Sequence, residues 1–349
     1  MKSSKFAVVI KIIKISIFFL PLFFIAAFGH AKETLISGQT MGTTYHIKVV
    51  TGNLPKISSL KEKIDQRLEQ INKSMSTYRK DSEISRFNAL KITGQRFKIS
   101  RDFARVFKES KKLYRMTDGA WDGSIYPLIN LWGFGKSGRK TRLPAKEKIA
   151  SLLMDVGFDN IDLVDNRYLL KQKASISIDL ASIAKGYAVD EVAGLIRKNN
   201  FKNFLVEVGG EVYASGVRED GACWRVGINR PRKEASYDEI YKIVTLKDKA
   251  FATSGDYRNF YEVNGKRYSH ILDPKTGYPV VNFVVSVSIV ADTCAFADGL
   301  ATAVMVMGRE KGLKVINALP DVEGMIVVRQ AGSKLVNYPS SGFIAKEKP

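Results

Sequence analysis

The sequence predicts an α+β fold of mixed, largely antiparallel sheets with packed helices, following an N-terminal signal peptide. Three observations lead there. Apolar residues recur at helical spacing in several separate segments. Other stretches show period-two alternation or β-branched runs. The two kinds of element succeed one another without the strand–helix–strand rhythm of a doubly wound parallel sheet.

The first segment stands outside that fold. Lys2, Lys5, Lys11 and Lys14 precede an uncharged apolar run from Ile15 to Phe28, the layout of a secretory signal peptide. This run of 14 residues falls short of the roughly 20 needed to span a bilayer. Gly29 and Ala31 suit positions −3 and −1 of a cleavage site, so residues 1–31 are expected to be removed and 32–349 to form one domain. The expected location is periplasmic or exported, with the protein soluble, or held at the inner membrane if the signal stays uncleaved.

Further along, Tyr45-His46-Ile47-Lys48-Val49 alternates as a strand. Leu60, Ile64, Leu68, Ile71 and Met75 define one amphipathic helix, and Phe103, Val106, Phe107, Ser110, Leu113 and Tyr114 a second. Ile149, Leu152, Leu153 and Val156 mark a shorter helix entered at Pro144 and stopped by Gly157. A basic loop spans Lys136 to Lys148, and a third long helix runs from about Ser182 to Asn199. Phe204 to Val208 and Val284 to Val290 read as strands, and Val263-Asn264-Gly265-Lys266 as a hairpin with an Asn-Gly turn.

Composition narrows the chemistry. In 349 residues with 45% hydrophobic content there is enough apolar material for a full core, which excludes a disordered chain. Several long apolar runs would be needed for a polytopic membrane protein, and they are missing. Two Cys and three His leave little for zinc, so a metal here is expected to be a hard, oxygen-bound ion such as Mg²⁺. Removing four lysines with the signal lowers the net charge from +20 to +16, which still favours anionic partners. An exported protein rarely meets DNA, and no nucleic acid is expected. Cys223 and Cys294 could pair in an oxidising compartment only if the fold brings them together.

Gly133-Phe134-Gly135-Lys136-Ser137-Gly138 matches G-x-G-x-x-G, but a basic loop ending in Pro144 follows it where a dinucleotide fingerprint needs a helix. Ser254, His270 and Asp298 could be imagined as a hydrolase triad, yet no G-x-S-x-G elbow is present. Asp298 and Thr302 stand four apart in a helical stretch and share a face. Carboxylate and hydroxyl are hard oxygen ligands, although the pair is equally compatible with a helix cap and a threonine bonded to its own backbone. In Asp179-Leu180-Ala181-Ser182-Ile183-Ala184-Lys185-Gly186-Tyr187 an acid opens a helix with Lys185 in its first turns. A helix N-terminus and a lysine together attract phosphate, though a capped helix with a solvated lysine reads the same way.

These segments do not stand alone. In order along the chain come Thr40-Met41-Gly42-Thr43-Thr44-Tyr45, Met75-Ser76-Thr77-Tyr78, Ser82 to Asn88, Asp118-Gly119-Ala120-Trp121-Asp122 and Leu131 to Gly135. Asp179 to Tyr187, Val208-Gly209-Gly210-Glu211, Thr253 to Tyr257, His270 to Gly277 and Ala297 to Ala303 follow. The series resembles the ApbE family, the FAD:protein FMN transferases, over nearly the whole mature chain.

The resemblance implies transfer of FMN from FAD to a threonine hydroxyl of an acceptor protein, with a phosphoester formed and AMP released. It implies FAD as substrate, Mg²⁺ as cofactor, and an acceptor among proteins such as membrane redox-complex subunits. Carried over position by position, the metal ligands fall on Asp298, Thr302 and the main-chain carbonyl of Ser182. The flavin-nucleotide contacts fall on Met41, Tyr78, Gly119, Ala120, Trp121, Asp179, Lys185, His270 and Ile271. Lys185 and Asp298 would act on the pyrophosphate, and His270 is the candidate base for the acceptor hydroxyl. Two other readings remain open at this stage: an FAD pyrophosphatase giving FMN and AMP, and a non-catalytic secreted flavin-binding protein.

Overall fold

A computed structural model describes residues 32–347, except 137, 139–141, 233, 234, 237, 238 and 258. The expected signal peptide and part of the basic loop lie outside the described residues. The α+β expectation is met. Eight strands form one antiparallel sheet in chain order: Lys32–Thr40 (β1), Thr43–Thr51 (β2), Phe204–Val208 (β3), Glu211–Ser215 (β4), Lys249–Gly255 (β5), Val284–Ala291 (β6), Glu323–Arg329 (β7) and Leu335–Pro339 (β8). Met41 and Gly42 form the β1–β2 turn, both with positive φ, the type of reversal that matches strand twist.

The long excursion between β2 and β3 carries Leu54–Met75 (α1), Glu83–Ala89 (α2), Arg101–Met116 (α3), Tyr126–Trp132 (α4), Lys146–Leu153 (α5) and Ala181–Lys198 (α6). Cys294–Met307 (α7) and Arg309–Ala318 (α8) join β6 to β7. The apolar stripe of α1 is buried at Leu60, Ile64, Leu68, Ile71 and Met75, as its spacing predicts. Burying each such side chain contributes about 1.5–3 kcal/mol. It packs in one core with α3, α6, α7 and the β2 residues Tyr45, Ile47 and Val49.

The opposite face of the sheet is covered by a three-stranded sheet of Trp224–Asn229, Ile240–Leu246 and Ala345–Lys346, with a second core of Val212, Phe251, Val285, Trp224 and Leu246. A strand covered on both faces loses its alternation, which is why β6 is buried along nearly its whole length, its two serines included. The Asn264-Gly265 hairpin joins Phe260–Val263 to Lys266–Ser269 as expected.

Two expectations are refined. The short helix ends at Leu153 rather than at Gly157: the amides of Asp155 and Val156 bond back to Leu152 and Leu153 in tight turns, and the Asp155 carboxylate accepts from the Ser175 hydroxyl. Gly133, in the left-handed region, ends α4 instead of opening a helix, so the glycine-rich stretch holds no dinucleotide turn. Cys223 and Cys294 are both free, and Cys294 is buried. Among the described residues no helix is long and apolar enough to cross a membrane.

Candidate active site

The site is built where α6 begins. Asp179 accepts from the Ala181 amide at 2.6 Å and from the Thr77 hydroxyl at 3.3 Å, fixing the helix entrance. Small residues then let α7 come close. A Cβ on Gly186 would stand 2.3 Å from the Cys294 carbonyl oxygen, so a larger residue would push the helices apart. The resulting approach allows the Gly186 amide to donate to Asp298 Oδ2 at 3.1 Å. In a regular helix that amide serves the carbonyl four residues back, here Ser182. Asp298 competes for it, and the Ser182 carbonyl keeps lone-pair capacity for another partner.

Asp298 is almost completely buried, in the second turn of α7. Burial raises its carboxyl above the usual range, while the nearby Lys185 charge works against that rise. Thr302, one turn further, shares a hydrogen bond of 3.0 Å with Ser254 on β5. The Ser182 hydroxyl accepts from Trp121 Nε1 at 3.1 Å, and the indole packs edge-on against Phe158. Trp121 is therefore a rigid wall of the site.

Lys185 reaches from α6 to Glu211 at the start of β4, with Nζ 2.5 Å from Oε1. Burial opposes the lysine charge, but Glu211 and Asp298 outweigh it and hold the ammonium above its ordinary range. The second Glu211 oxygen is buried without a hydrogen-bond partner. His270 follows the 260–269 hairpin and pairs its Nδ1 with the Asn259 carbonyl at 3.0 Å. A carbonyl can only accept, so Nδ1 carries the proton and Nε2 keeps the free lone pair. Burial lowers the ring's pKa to about 4, helped by Lys185 and opposed by the Asn259 carbonyl, so the imidazole is neutral at pH 7.

One cavity of about 420 Å³ collects Tyr78, Ala120, Trp121, Asp179, Ser182, Lys185, His270, Ile271, Asp298 and Thr302. Two sequence-derived contacts lie outside it. Met41 lines an adjoining cavity that shares Tyr78, Ala181 and Lys185 with the first. Gly119 lines a neighbouring recess beside Asp118 and Lys275 that shares Asp122 and Pro274 with the cavity, because its amide closes α3 onto the Tyr114 carbonyl and turns the chain before Ala120. Tyr78 is exposed at the edge of both main cavities and offers a free ring face for stacking.

Sequence reasoning gave no role to Glu211 or Asn259. The signal for Glu211 was an acid directly behind a Gly-Gly turn; for Asn259, whose backbone does the work, the sequence carries no signal. The imagined triad is not assembled: Ser254 bonds Thr302, and His270 Nδ1 bonds a carbonyl instead of Asp298.

Among the described residues no cluster of three or more His, Cys, Asp and Glu is arranged to hold a metal. The donors present fit a hard cation that completes its shell with substrate oxygens: one carboxylate, one hydroxyl and one carbonyl around Asp298. A fixed acid, a lysine, a neutral imidazole and an exposed aromatic at the rim are the groups that a transferase or hydrolase acting on a phosphate-bearing aromatic substrate would need.

The family follows from comparison with known proteins. Residues 41–326 match the model of the ApbE family, and the chain belongs to that family. It is 41% identical over 314 residues to the FAD:protein FMN transferase of Vibrio cholerae serotype O1, covering 90% of this chain and 92% of that one. With the FAD:protein FMN transferase of Haemophilus influenzae it shares 41% identity over 296 residues, 81% of this chain and 84% of the other. Among solved structures, flavin transferase ApbE from Vibrio cholerae superposes with a TM-score of 0.82 at 39% identity, over 90% of this chain and 98% of that one. The apo form of the Pseudomonas stutzeri flavinyl transferase ApbE gives 0.80 at 37% identity, over 90% and 96%.

Proposed function

We propose that this chain is an Mg²⁺-dependent flavin transferase that moves FMN from FAD to a threonine hydroxyl of an exported or membrane-bound acceptor protein and releases AMP. The observation that carries this reading is the convergence of Asp298, Thr302, Lys185 and His270 on one cavity rimmed by Tyr78.

In this reading Tyr78 stacks on an aromatic ring of FAD, and Lys185 places its charge on the pyrophosphate. Trp121, locked by Ser182 and Phe158, keeps the cavity wall rigid. The acceptor oxygen bonds to the phosphorus of the FMN half while the bond to the AMP phosphate breaks. His270 Nε2 takes the hydroxyl proton, and the Asn259 carbonyl holds the tautomer that leaves this nitrogen free. Asp298, Thr302 and the Ser182 carbonyl would hold Mg²⁺, which when bound supplies charge neutralisation for the pyrophosphate. Export rests on residues 1–31, and intact mass of the protein from its host tests it through an N-terminus at Lys32.

Purified protein incubated with FAD, Mg²⁺ and host acceptor proteins should give covalent flavin fluorescence on a denaturing gel. Release of FMN and AMP without labelling would instead favour the pyrophosphatase, and FAD binding without turnover the carrier.

A further inference from the structure

We propose that Asp190 is a positioning residue for flavin transfer: it ties the start of α7 to α6 and so sets the register in which Asp298 and Thr302 enter the catalytic cavity. The proposal rests on the flavin-transfer reading and deepens it.

The first amides of a helix have no partner within it, and the N-cap side chain usually supplies one. In α7 that residue is Thr293, whose side chain makes no capping bond. Asp190 of α6 serves instead: its Oδ1 accepts from the Cys294 amide at 2.8 Å and its Oδ2 from the Ala295 amide at 2.9 Å. The cap of one helix is thus a side chain of the other.

A second bond runs the opposite way one turn along. Asp298 of α7 accepts from the Gly186 amide of α6 at 3.1 Å. Gly186 stands four residues before Asp190 on α6, and Asp298 four residues after Cys294 on α7, so the helices run antiparallel and the two bonds are successive rungs between them. The same step leads next to Ser182 and Thr302, which both line the catalytic cavity. Asp190 therefore holds one end of a ladder whose other end is the site proposed for Mg²⁺.

Directional bonds matter here because Gly186 lies directly against the backbone of Cys294 and Ala295, where side chains do not interlock. A helix advances about 1.5 Å and turns about 100° per residue, so a slip of one residue would carry the Asp298 carboxylate off the face it shares with α6. Burial raises the pKa of the Asp190 carboxyl to about 7, and the two amides oppose that rise. Above that pH both oxygens accept, whereas Asn would keep one acceptor and turn an NH₂ donor toward the other amide.

The test compares Asp190→Asn with the double variant Asp190→Asn/Thr293→Asp, each in the full protein at a pH about one unit above that value. Thr293 is exposed and extended, so Asp there can cap α7 locally without joining it to α6. Positioning predicts that Asp190→Asn raises the half-saturating Mg²⁺ concentration for transfer by about tenfold and leaves FAD affinity in EDTA unchanged. Hydrogen exchange of the Gly186 amide in the metal-free protein should quicken by about tenfold as well. The double variant should recover thermal stability and keep both defects, and it carries the same two readouts if the single variant does not fold. Recovery of metal dependence and exchange along with stability would overturn the proposal and leave Asp190 a cap only, as would wild-type values of both in the single variant. Absence of transfer by wild type at every Mg²⁺ concentration would sink the flavin-transfer reading, while exchange at Gly186 would still support or overturn the tie between the helices.

Discussion

Lys185 Nζ stands 2.5 Å from Glu211 Oε1, in the cavity that also contains Asp298. Two buried carboxyl groups thus face one half-buried cation before any phosphate arrives. The lysine is held in place by Glu211 and kept charged by both acids. An incoming pyrophosphate would meet a positioned ammonium, but also two carboxyl groups whose pKa values burial raises, Glu211's to about 8, and whatever negative charge they keep is charge that a hard cation would offset.

Replacing Glu211 with Gln should therefore separate binding from catalysis. The variant removes the carboxyl group that pairs with Lys185 and positions it. KM for FAD is expected to stay the same or fall, while kcat drops by at least about tenfold. Lys185→Ala should do the reverse, weakening FAD binding without unfolding the protein, because the unpaired Glu211 can take a proton. Steady-state kinetics and thermal melts of the two variants check this, and equal effects on both parameters would argue against the positioning role.

The pH dependence follows from His270, whose pKa is lowered to about 4 chiefly by burial. Between pH 6.5 and 4 the unfolded chain binds a proton that the folded ring refuses. The stability this residue confers is thus complete above about 6.5 and is lost as pH falls toward 4. Catalysis should show the same displacement. The acid limb of kcat/KM attributable to His270 is expected below pH 5, and a midpoint near 6.5 would show the ring to be solvated.

Much of the fold was legible because it depends on local periodicity. The stripe of α1 and the alternation of Tyr45, Ile47 and Val49 each report one buried face directly. The short helix was misjudged at its end, since the turn at Asp155 depends on Ser175, a residue distant in sequence. In the site, Asp298 and Thr302 could be paired from their spacing, and Lys185 from its place near a helix start. Glu211 and the Asn259 carbonyl could not be assigned, because their partners arrive through sheet pairing and hairpin placement that no local pattern encodes.

Gly186 offers a test of how the fold supports the site. Alanine there would place a methyl 2.3 Å from the Cys294 carbonyl oxygen, against backbone that cannot swing aside. Overpacking of this kind costs about 1–3 kcal/mol. Gly186→Ala is expected to lower stability by that amount in denaturant melts and to reduce flavin transfer beyond the effect of unfolding, because the Gly186–Asp298 bond is lost. Normal transfer by the folded fraction would mean that Asp298 does not need α6 to hold it.

The carboxylate itself gives the most direct test. Asp298 has one oxygen on the Gly186 amide, and the other has no hydrogen-bond partner among the described residues. A buried acid in that state is stabilised as an anion by Lys185 and would be stabilised further by a cation. One carboxylate, a hydroxyl and a carbonyl bind Mg²⁺ weakly on their own, so FAD should strengthen metal binding and metal should strengthen FAD binding by the same factor. Asp298→Ala should abolish that mutual effect in calorimetric titrations and lower transfer by at least about 100-fold. EDTA should reproduce the loss in wild type, while FAD still binds through Tyr78 and Lys185. If transfer survived both treatments, charge on the pyrophosphate would have to be neutralised by Lys185 alone, and the four-residue spacing of Asp298 and Thr302 would be an architectural feature of α7.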